Sequence, residues 1–373
     1  MEWYPMRCHP RQAKQAYMIR LLRKLRSAFV PTSPDSTASS PSNAPQNDYS
    51  QRLERELANY AEDVDVHALP EIFHYWSNRY VRPWFEEVGT THPEDLFARY
   101  LLIAAENAGQ TARFLSIGSG NCDAEVAVAQ DLRGRGLHDF TLECLEINPH
   151  MLERGRSLAR EAGVEQHLRF EQADFNQWTP QSTYHGILAN QCLHHVSNLE
   201  GLFDGIGRGL TEQGLFITSD MIGRNGHMRW PEALQHVERL WQELPERYRY
   251  NHQMKRLETE FINHDCSVES FEGIRAQDIL PLLLPRFSFH VFIAFGNVID
   301  PFVDRAFGHN FNAENAEDRA FVDRVHALDE AGFADGSLKP THMVAVMGRA
   351  DYPAEKPCYA RGLSPDAAVR QPD

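Results

Sequence analysis

No apolar run in this 373-residue chain approaches the roughly 20 residues that a membrane-spanning helix needs, and no secretory h-region stands near its start. Cysteine is sparse. Cys8, Cys122, Cys144, Cys192, Cys266 and Cys358 are scattered, with no C-x-x-C pair and no zinc-ligand spacing, which argues against a zinc ribbon or a disulfide scaffold. A reducing, cytoplasmic setting is expected. Acidic residues are nearly missing from residues 1–30, where Glu2 faces seven Lys/Arg, yet the whole chain carries −15. The remainder is therefore more acidic still. Such a body is poorly matched to a phosphate backbone, which is bound by Lys and Arg that displace counterions, so no nucleic-acid partner is expected. No internal repeat is visible.

What is present is ordinary for a globular protein: 42% hydrophobic and 24% charged residues. Residues 11–29 place Met18, Leu21, Leu22, Leu25 and Phe29 on one face of a basic helix. That pattern suits peripheral contact with an anionic membrane or docking to a partner, and equally a frayed terminal helix. Residues 31–48 are rich in Ser, Pro and Asn and read as a disordered linker. Residues 49–110 read as an N-terminal helical cap, with Thr91-His92-Pro93-Glu94 opening a helix.

From Arg113 to Asp220 short apolar runs alternate with amphipathic stretches, the signature of parallel strands covered by helices. Strands are expected at 113–117, 141–146, 168–171, 184–190 and 214–220, and helices near 122–133, 149–162 and 198–210. Further strands are expected at 287–295 and 342–349. The expected architecture is α/β: a doubly wound, mostly parallel seven-stranded sheet with an antiparallel last strand, the helical cap and helical insertions. A catalytic domain would span 111–350, with insertions near 221–284 and 296–341 and a loose tail over 351–373.

Four segments carry chemistry. Phe114 to Asn121 is an apolar strand running into Gly118-Ser119-Gly120 and a helix, a turn that lets a ligand approach the backbone. A dinucleotide-binding unit begins the same way. Thr141 to Pro149 ends its strand in Glu146, whose carboxylate can accept both hydroxyls of a ribose. Nicotinamide enzymes share that device. After the third strand stands Ala173-Asp174-Phe175, where Asp174 can accept from an adenine amino group and Phe175 can pack on the ring. The fourth strand opens into Asn190-Gln191-Cys192-Leu193-His194-His195, on the rim where ligands sit in a doubly wound sheet.

In this order the four segments, with Leu210 to Phe216 ahead of the fifth strand, resemble the class I S-adenosylmethionine-dependent methyltransferases. The likeness covers residues 113–220 closely and the two late strands loosely. It implies S-adenosylmethionine as cofactor, held by Ser116, Gly118, Ser119, Gly120, Glu146, Ile147, Asp174, Phe175, Asn190 and Gln191. Ser116 stands where the family often has an acid, and Cys122 where it often has a third glycine. Ser116, Glu125 or a backbone carbonyl is left to hold the methionine ammonium group.

The acceptor is read more coarsely as a small molecule, probed at oxygen with His195 as first candidate base and His194 as second. Tyr75, Trp76 and Tyr80 in the aromatic segment 71–89, and Arg224 and His227 after the fifth strand, are the candidate substrate contacts. Asn225 and Trp230 stand in the same segment. Residues 300–312 are expected to complete a lid or form a homodimer contact. No carboxylate cluster supports a catalytic metal, so none is expected. The segment after the fourth strand lacks the Asn/Asp-Pro-Pro-aromatic run of amino-methylating nucleic-acid enzymes, and Cys192 lacks the setting of a cytosine C5 nucleophile. A sugar or lipid-linked glycan at the membrane face is a narrower acceptor that the basic segment would suit. An NAD(P)-dependent oxidoreductase is the competing class, weakened because Gly118-x-Gly120-x-x-Asp123 lacks its third glycine. A non-catalytic binding protein on the same scaffold is the other alternative.

Overall fold

Eight segments pair into one sheet, seven of them at the expected places. They are β1 (Ala112–Ile117), β2 (Phe140–Glu146), β3 (Leu168–Gln172), β4 (Tyr184–Asn190), β5 (Leu210–Met221), β8 (Phe287–Phe295), β9 (His342–Arg349) and β10 (Cys358–Tyr359). A two-stranded ribbon, β6 (Tyr250–Asn251) with β7 (Arg256–Leu257), stands apart. This computed structural model describes residues 49, 50, 52, 53 and 69–371, other than 107, 110 and 269. The chain divides after Asn47, and the unit Asp48–Asp373 is the one described here. The expectations for a basic helix and a linker over residues 1–48 lie outside the described residues. Among those residues, no helix is long and apolar enough to cross a membrane.

The sheet order is β10-β8-β9-β5-β4-β1-β2-β3. Its logic follows burial. β4 (YHGILAN) is buried along both faces up to Asn190 and takes a central place, as a nearly continuous apolar run requires. β3 (LRFEQ) alternates with charged residues and closes one edge. β1 pairs in parallel with β2 and β4, and β4 with β5. β9 runs antiparallel to β5 and β8, so the late hairpin inserts β9 between them.

Helices cover both faces. α1 (Glu71–Trp76) and α2 (Arg82–Glu87) are joined by a π-helical turn, Ser77–Val81, and followed by α3 (Pro93–Ala105). α4 (Asp123–Gly134) and α5 (Pro149–Glu161) belong with them to one core cluster, which holds Leu96, Phe97, Leu101, Val128 and Leu132. α6 (Leu199–Gly209) and α8 (Ala276–Leu283) belong to a second, with Leu202, Phe203, Ile206 and Ile279. α7 (Pro231–Glu243) lies between them in sequence. Each such fully buried side chain contributes about 1.5–3 kcal/mol. Asn148 caps α5 by accepting from the His150 N–H, with Pro149 in the first turn as expected. At α3 the cap falls one residue late: His92 Nδ1 accepts from the Asp95 N–H, while Asp95 accepts from the N–H and hydroxyl of Thr91.

Three further helices follow: α9 (Asp300–Val303), α10 (Ala316–Asp335) and α11 (Pro365–Ala368). Residues 351–371, expected as a loose tail, are instead built onto the body. β10 adds an eighth strand in parallel beside β8. The Arg361 guanidinium lies 3.9 Å over the Trp84 ring, pairs with Glu330 at 2.9 Å and donates to the Ala294 carbonyl. Arg370 repeats the arrangement on Trp230 and Glu232. The anchors are two arginines, each over a tryptophan ring and paired with a glutamate, which leave no periodic trace in a Pro-rich sequence.

The π-helical turn has a visible consequence, since it brings Tyr80 into a 3.8 Å stack on His326 of α10. Burial, with the nearby Arg361 charge, pushes His326 down to about 4 from 6.5. A histidine held below its unfolded value favours the folded state above the unfolded pKa. That contribution is lost as pH falls from about 6.5 towards 4. His326→Phe keeps a ring against Tyr80 and cannot be protonated, so it is expected to lessen the fall in urea midpoint between pH 7 and 4.5. An unchanged fall would show that His326 is not part of it.

Candidate functional site

The glycine turn at the end of β1 is shaped by what presses on it. Gly118 has φ +65, and a Cβ there would come within 2.6 Å of Cys192 Cβ. Glycine is needed for both reasons. The loop after β4 is fastened to the same place by Cys192, whose thiol donates to the Ile117 carbonyl. Cys122, at the family's third-glycine position, itself adopts φ +61 and begins α4.

Glu146 ties this turn to the next one. Its carboxylate accepts from the Gly120 N–H at 3.0 Å and the Asn148 N–H at 2.8 Å, and burial raises its pKa. The Ser119 N–H donates to the Leu145 carbonyl, and the Ile147 carbonyl accepts from Gln172. Asp174 accepts from the Asn176 N–H, from the Gln177 amide and from the Tyr49 hydroxyl at 2.8 Å. Phe175 lies 3.6 Å from where a Gly118 Cβ would stand. Gln191 takes φ +51 and bonds Ser219 through both its N–H and its amide; Asn190 is half-buried beside it. Ser116 donates at 2.6 Å to Glu125, whose other oxygen is buried with no hydrogen-bond partner among the described residues. Burial, opposed by the Ser116 hydroxyl, pushes Glu125 up to about 7.

A second group of side chains stands at the ends of β4 and β5. The 3₁₀ turn Leu193–His195 is held by Asp220, the last acidic residue of β5. Asp220 accepts from the Cys192, Leu193 and Met221 N–H groups at 2.7–2.9 Å and from His194 Nδ1 at 2.6 Å. That last bond leaves His194 Nε2 pointing away from Asp220, 3.5 Å from Glu272 Oε1. The same oxygen is 2.9 Å from His227 Nε2, and Glu272 Oε2 is 3.5 Å from His195 Nε2. Burial penalises a charge here, yet Asp220 and Glu272 push His194 up to about 10. Burial and the neighbouring His194 push His195 down to about 4. Glu272 is held well below the usual carboxylate range, its burial outweighed by His194 and His227.

Two glycines bring His227 and Glu272 together. The loops 225–227 and 265–273 cross in backbone contact, with the Gly226 N–H on the Gly273 carbonyl and the Cys266 N–H on the Gly226 carbonyl. A Cβ on Gly273 would lie 2.9 Å from the Gly226 nitrogen, so no larger residue allows that approach. His227 has φ +56, strain that its surroundings must hold. Arg229 does so by donating to the His227 carbonyl, while its other arm donates to the Asn297 carbonyl and to Asp300.

Of the expected acceptor contacts, only His227 joins the histidine pair. Arg224 instead lies over the Trp230 ring and donates to the Arg229 carbonyl. Tyr75 donates to Asp323, Trp76 is buried with its Nε1 on His326, and Tyr80 stacks on His326. These three face α10 because the aromatic segment packs as core, the commoner use of such a pattern. Residues 300–312 also pack inward: Asn310 donates to the Tyr248 and Tyr250 carbonyls, and Phe311 stacks on Tyr248. No metal was expected because the sequence shows no carboxylate cluster; the fold instead assembles two imidazoles and one carboxylate from three distant segments. Sequence reasoning also missed Tyr49, Asp220, Arg229 and Glu272. Asp220 had a signal, an acid ending the apolar strand Leu215 to Ser219. Glu272 had only the adjacent Gly273.

Residues 109–280 match the family model of a methyltransferase domain. No curated protein matches the chain. Among solved structures it is similar to geranyl diphosphate C-methyltransferase from Streptomyces coelicolor A3(2), in complex with Mg²⁺, geranyl diphosphate and S-adenosyl-L-homocysteine. That likeness has 14% identity over 80% of this chain and 97% of the other, with a TM-score of 0.40. It is also similar to StiE O-MT, at 14% identity over 73% and 82% of the two chains and a TM-score of 0.39. The matched residues contain the glycine turn, Glu146, Asp174 and the strands that carry them, and residues 109–280 form a methyltransferase domain of the S-adenosylmethionine-dependent class I type, with S-adenosylmethionine as its cofactor.

Proposed function

We propose that this methyltransferase acts on an oxygen of a small-molecule acceptor, with His195 as general base. The observation that carries the reading is the histidine group beside Cys192, the residue that also touches the Gly118 turn. Base and cofactor turn thereby share one rim of the sheet, where doubly wound folds bind ligands. Transfer to a hydroxyl requires a proton to leave, and His195, which burial and the neighbouring His194 keep in the neutral form, presents an imidazole to take it. His194 donates through Nδ1 to Asp220, and His195 Nε2 lies 3.5 Å from Glu272 Oε2.

The residues fit the cofactor. The space beyond Gly120 is open, with nothing within 4 Å of where its Cβ would stand. Glu125 presents an unpartnered buried carboxylate oxygen, suited to a cationic amine, with Ser116 fixing its other oxygen. Gly118, Ser119 and Gly120 would line the chain of the ligand. Glu146 and Ile147 would meet the ribose, Asp174 and Phe175 the adenine, and Asn190 and Gln191 the near wall. Bound there, S-adenosylmethionine supplies an electrophilic methyl group on sulfonium. The protein's part is alignment and proton removal.

Tyr49 donates to the Asp174 carboxylate that the adenine reading requires, so it would share or yield that acceptor when the site is filled. Asp174→Ala is expected to weaken S-adenosylhomocysteine binding about 10-fold or more while the protein stays folded; unchanged affinity would move the adenine elsewhere. The acceptor class is tested by offering labelled S-adenosylmethionine with a panel of small hydroxyl, amine and thiol compounds, and with oligonucleotides. Label is expected in hydroxyl compounds. Label only in amines, thiols or oligonucleotides would overturn the reading.

A further inference from the structure

We propose that His194, His227 and Glu272 form a binding site for a divalent transition-metal ion. The inference rests on the reading proposed above, an oxygen acceptor beside His195, and it gives that acceptor a ligand chemistry: an oxygen donor that can enter the metal's coordination sphere.

One ring nitrogen from each of His194 and His227 and one Glu272 oxygen all lie within 4.8 Å of one another. The two measured nitrogen–oxygen separations to Glu272 Oε1 are 3.5 and 2.9 Å. Around a tetrahedral ion with bonds of about 2.0–2.1 Å, ligand atoms stand about 3.3 Å apart. The set therefore closes on an ion with small side-chain movements.

The donor set also fits an ion in place of the hydrogen bonds. Both imidazoles aim Nε2 at the same carboxylate oxygen, so hydrogen bonding would need a proton on each Nε2. His194 already gives its Nδ1 proton to Asp220, and it is buried with side-chain exposure of 4%. It would then be a buried cation, its charge held between Asp220 and Glu272. A metal ion uses the Nε2 lone pairs instead and supplies the positive charge itself. The Asp220–His194 bond is also the arrangement that fixes a metal-ligating histidine, a carboxylate on the ring nitrogen opposite the metal. His227 is held in a strained backbone by Arg229, and Glu272 by the glycine crossing. Such support for a side-chain position is what a coordination site needs.

Two nitrogens and one oxygen suit zinc, iron(II), cobalt(II) or manganese(II), and not the all-oxygen preference of magnesium or calcium. Three protein ligands leave a position open, as in catalytic zinc sites. An acceptor hydroxyl or carbonyl oxygen there would be oriented and acidified, and His195, on the other oxygen of Glu272, stands next to it to take a hydroxyl proton.

The test uses the full chain, stripped with a chelator and titrated with cobalt(II) chloride in the absence of cofactor and acceptor. Visible cobalt absorption and metal content are read together. One cobalt(II) per chain is expected, displaced by zinc. Glu272→Gln and His227→Gln are each expected to weaken cobalt binding at least about 10-fold, with far-UV circular dichroism unchanged. Absence of cobalt binding by the parent protein, or undiminished binding in both variants, would overturn the site. S-adenosylhomocysteine titration of the same samples reports separately on the methyltransferase reading, which stands whether or not cobalt binds.

Discussion

Turnover of the His195→Ala enzyme is expected to fall about 10²–10⁴-fold, the usual contribution of a positioned acid or base, with S-adenosylhomocysteine affinity nearly unchanged. The two effects separate because His195 follows the turn that meets the cofactor loop and is not part of it. Cys192 makes the contact with Gly118, and Asp220 holds the Cys192 and Leu193 N–H groups without help from the His195 side chain. Removing an imidazole at that place takes away a proton acceptor and leaves the glycine turn, Glu146 and Asp174 where they are. Single-turnover methyl transfer, measured beside a binding titration, distinguishes the cases. Equal turnover would remove His195 as base. A parallel loss of affinity and turnover would make it a wall of the cofactor site instead.

Asp220→Ala is expected to cost about 3–5 kcal/mol of unfolding free energy, the range for breaking a buried charged network by removing one partner. The side chain is wholly buried, and three backbone N–H groups and the His194 ring converge on it. Alanine leaves all four donors without an acceptor in a place that water does not reach, each at a cost of about 1–3 kcal/mol before relaxation. Asp220→Asn should cost less, since one amide oxygen can keep part of the set while the amide nitrogen faces donors. Urea unfolding at neutral pH reads the difference. A loss below about 1 kcal/mol would mean that the turn after β4 is held by packing alone.

The sheet was legible because its strands announce themselves locally. β4 carries the apolar run Gly186 to Ala189 and β5 the run Gly214 to Ile217, β2 ends on an acid before Asn148-Pro149, and β8 and β9 lie at 287–295 and 342–349 as expected. β10 was not legible: it is two residues long, and Arg361 on Trp84 secures the chain beyond it. The places of the residues expected to hold the cofactor were legible for the same reason as the sheet, since they lie at or near strand ends. The acceptor end was not. Glu272 lies 45 residues from His227, and only the crossing of two loops at Gly226 and Gly273 joins them. Tyr75, Trp76 and Tyr80 show the reverse case. Their composition suits a binding wall, but composition does not reveal which helix will cover them, and α10 does.

Calorimetric titration of the purified full chain with S-adenosylhomocysteine, run beside NADH and NADPH, tests the central claim most directly. Micromolar binding of S-adenosylhomocysteine, with none of either nicotinamide, is the predicted result. Failure to bind it, or tight binding of a nicotinamide cofactor, would contradict the account.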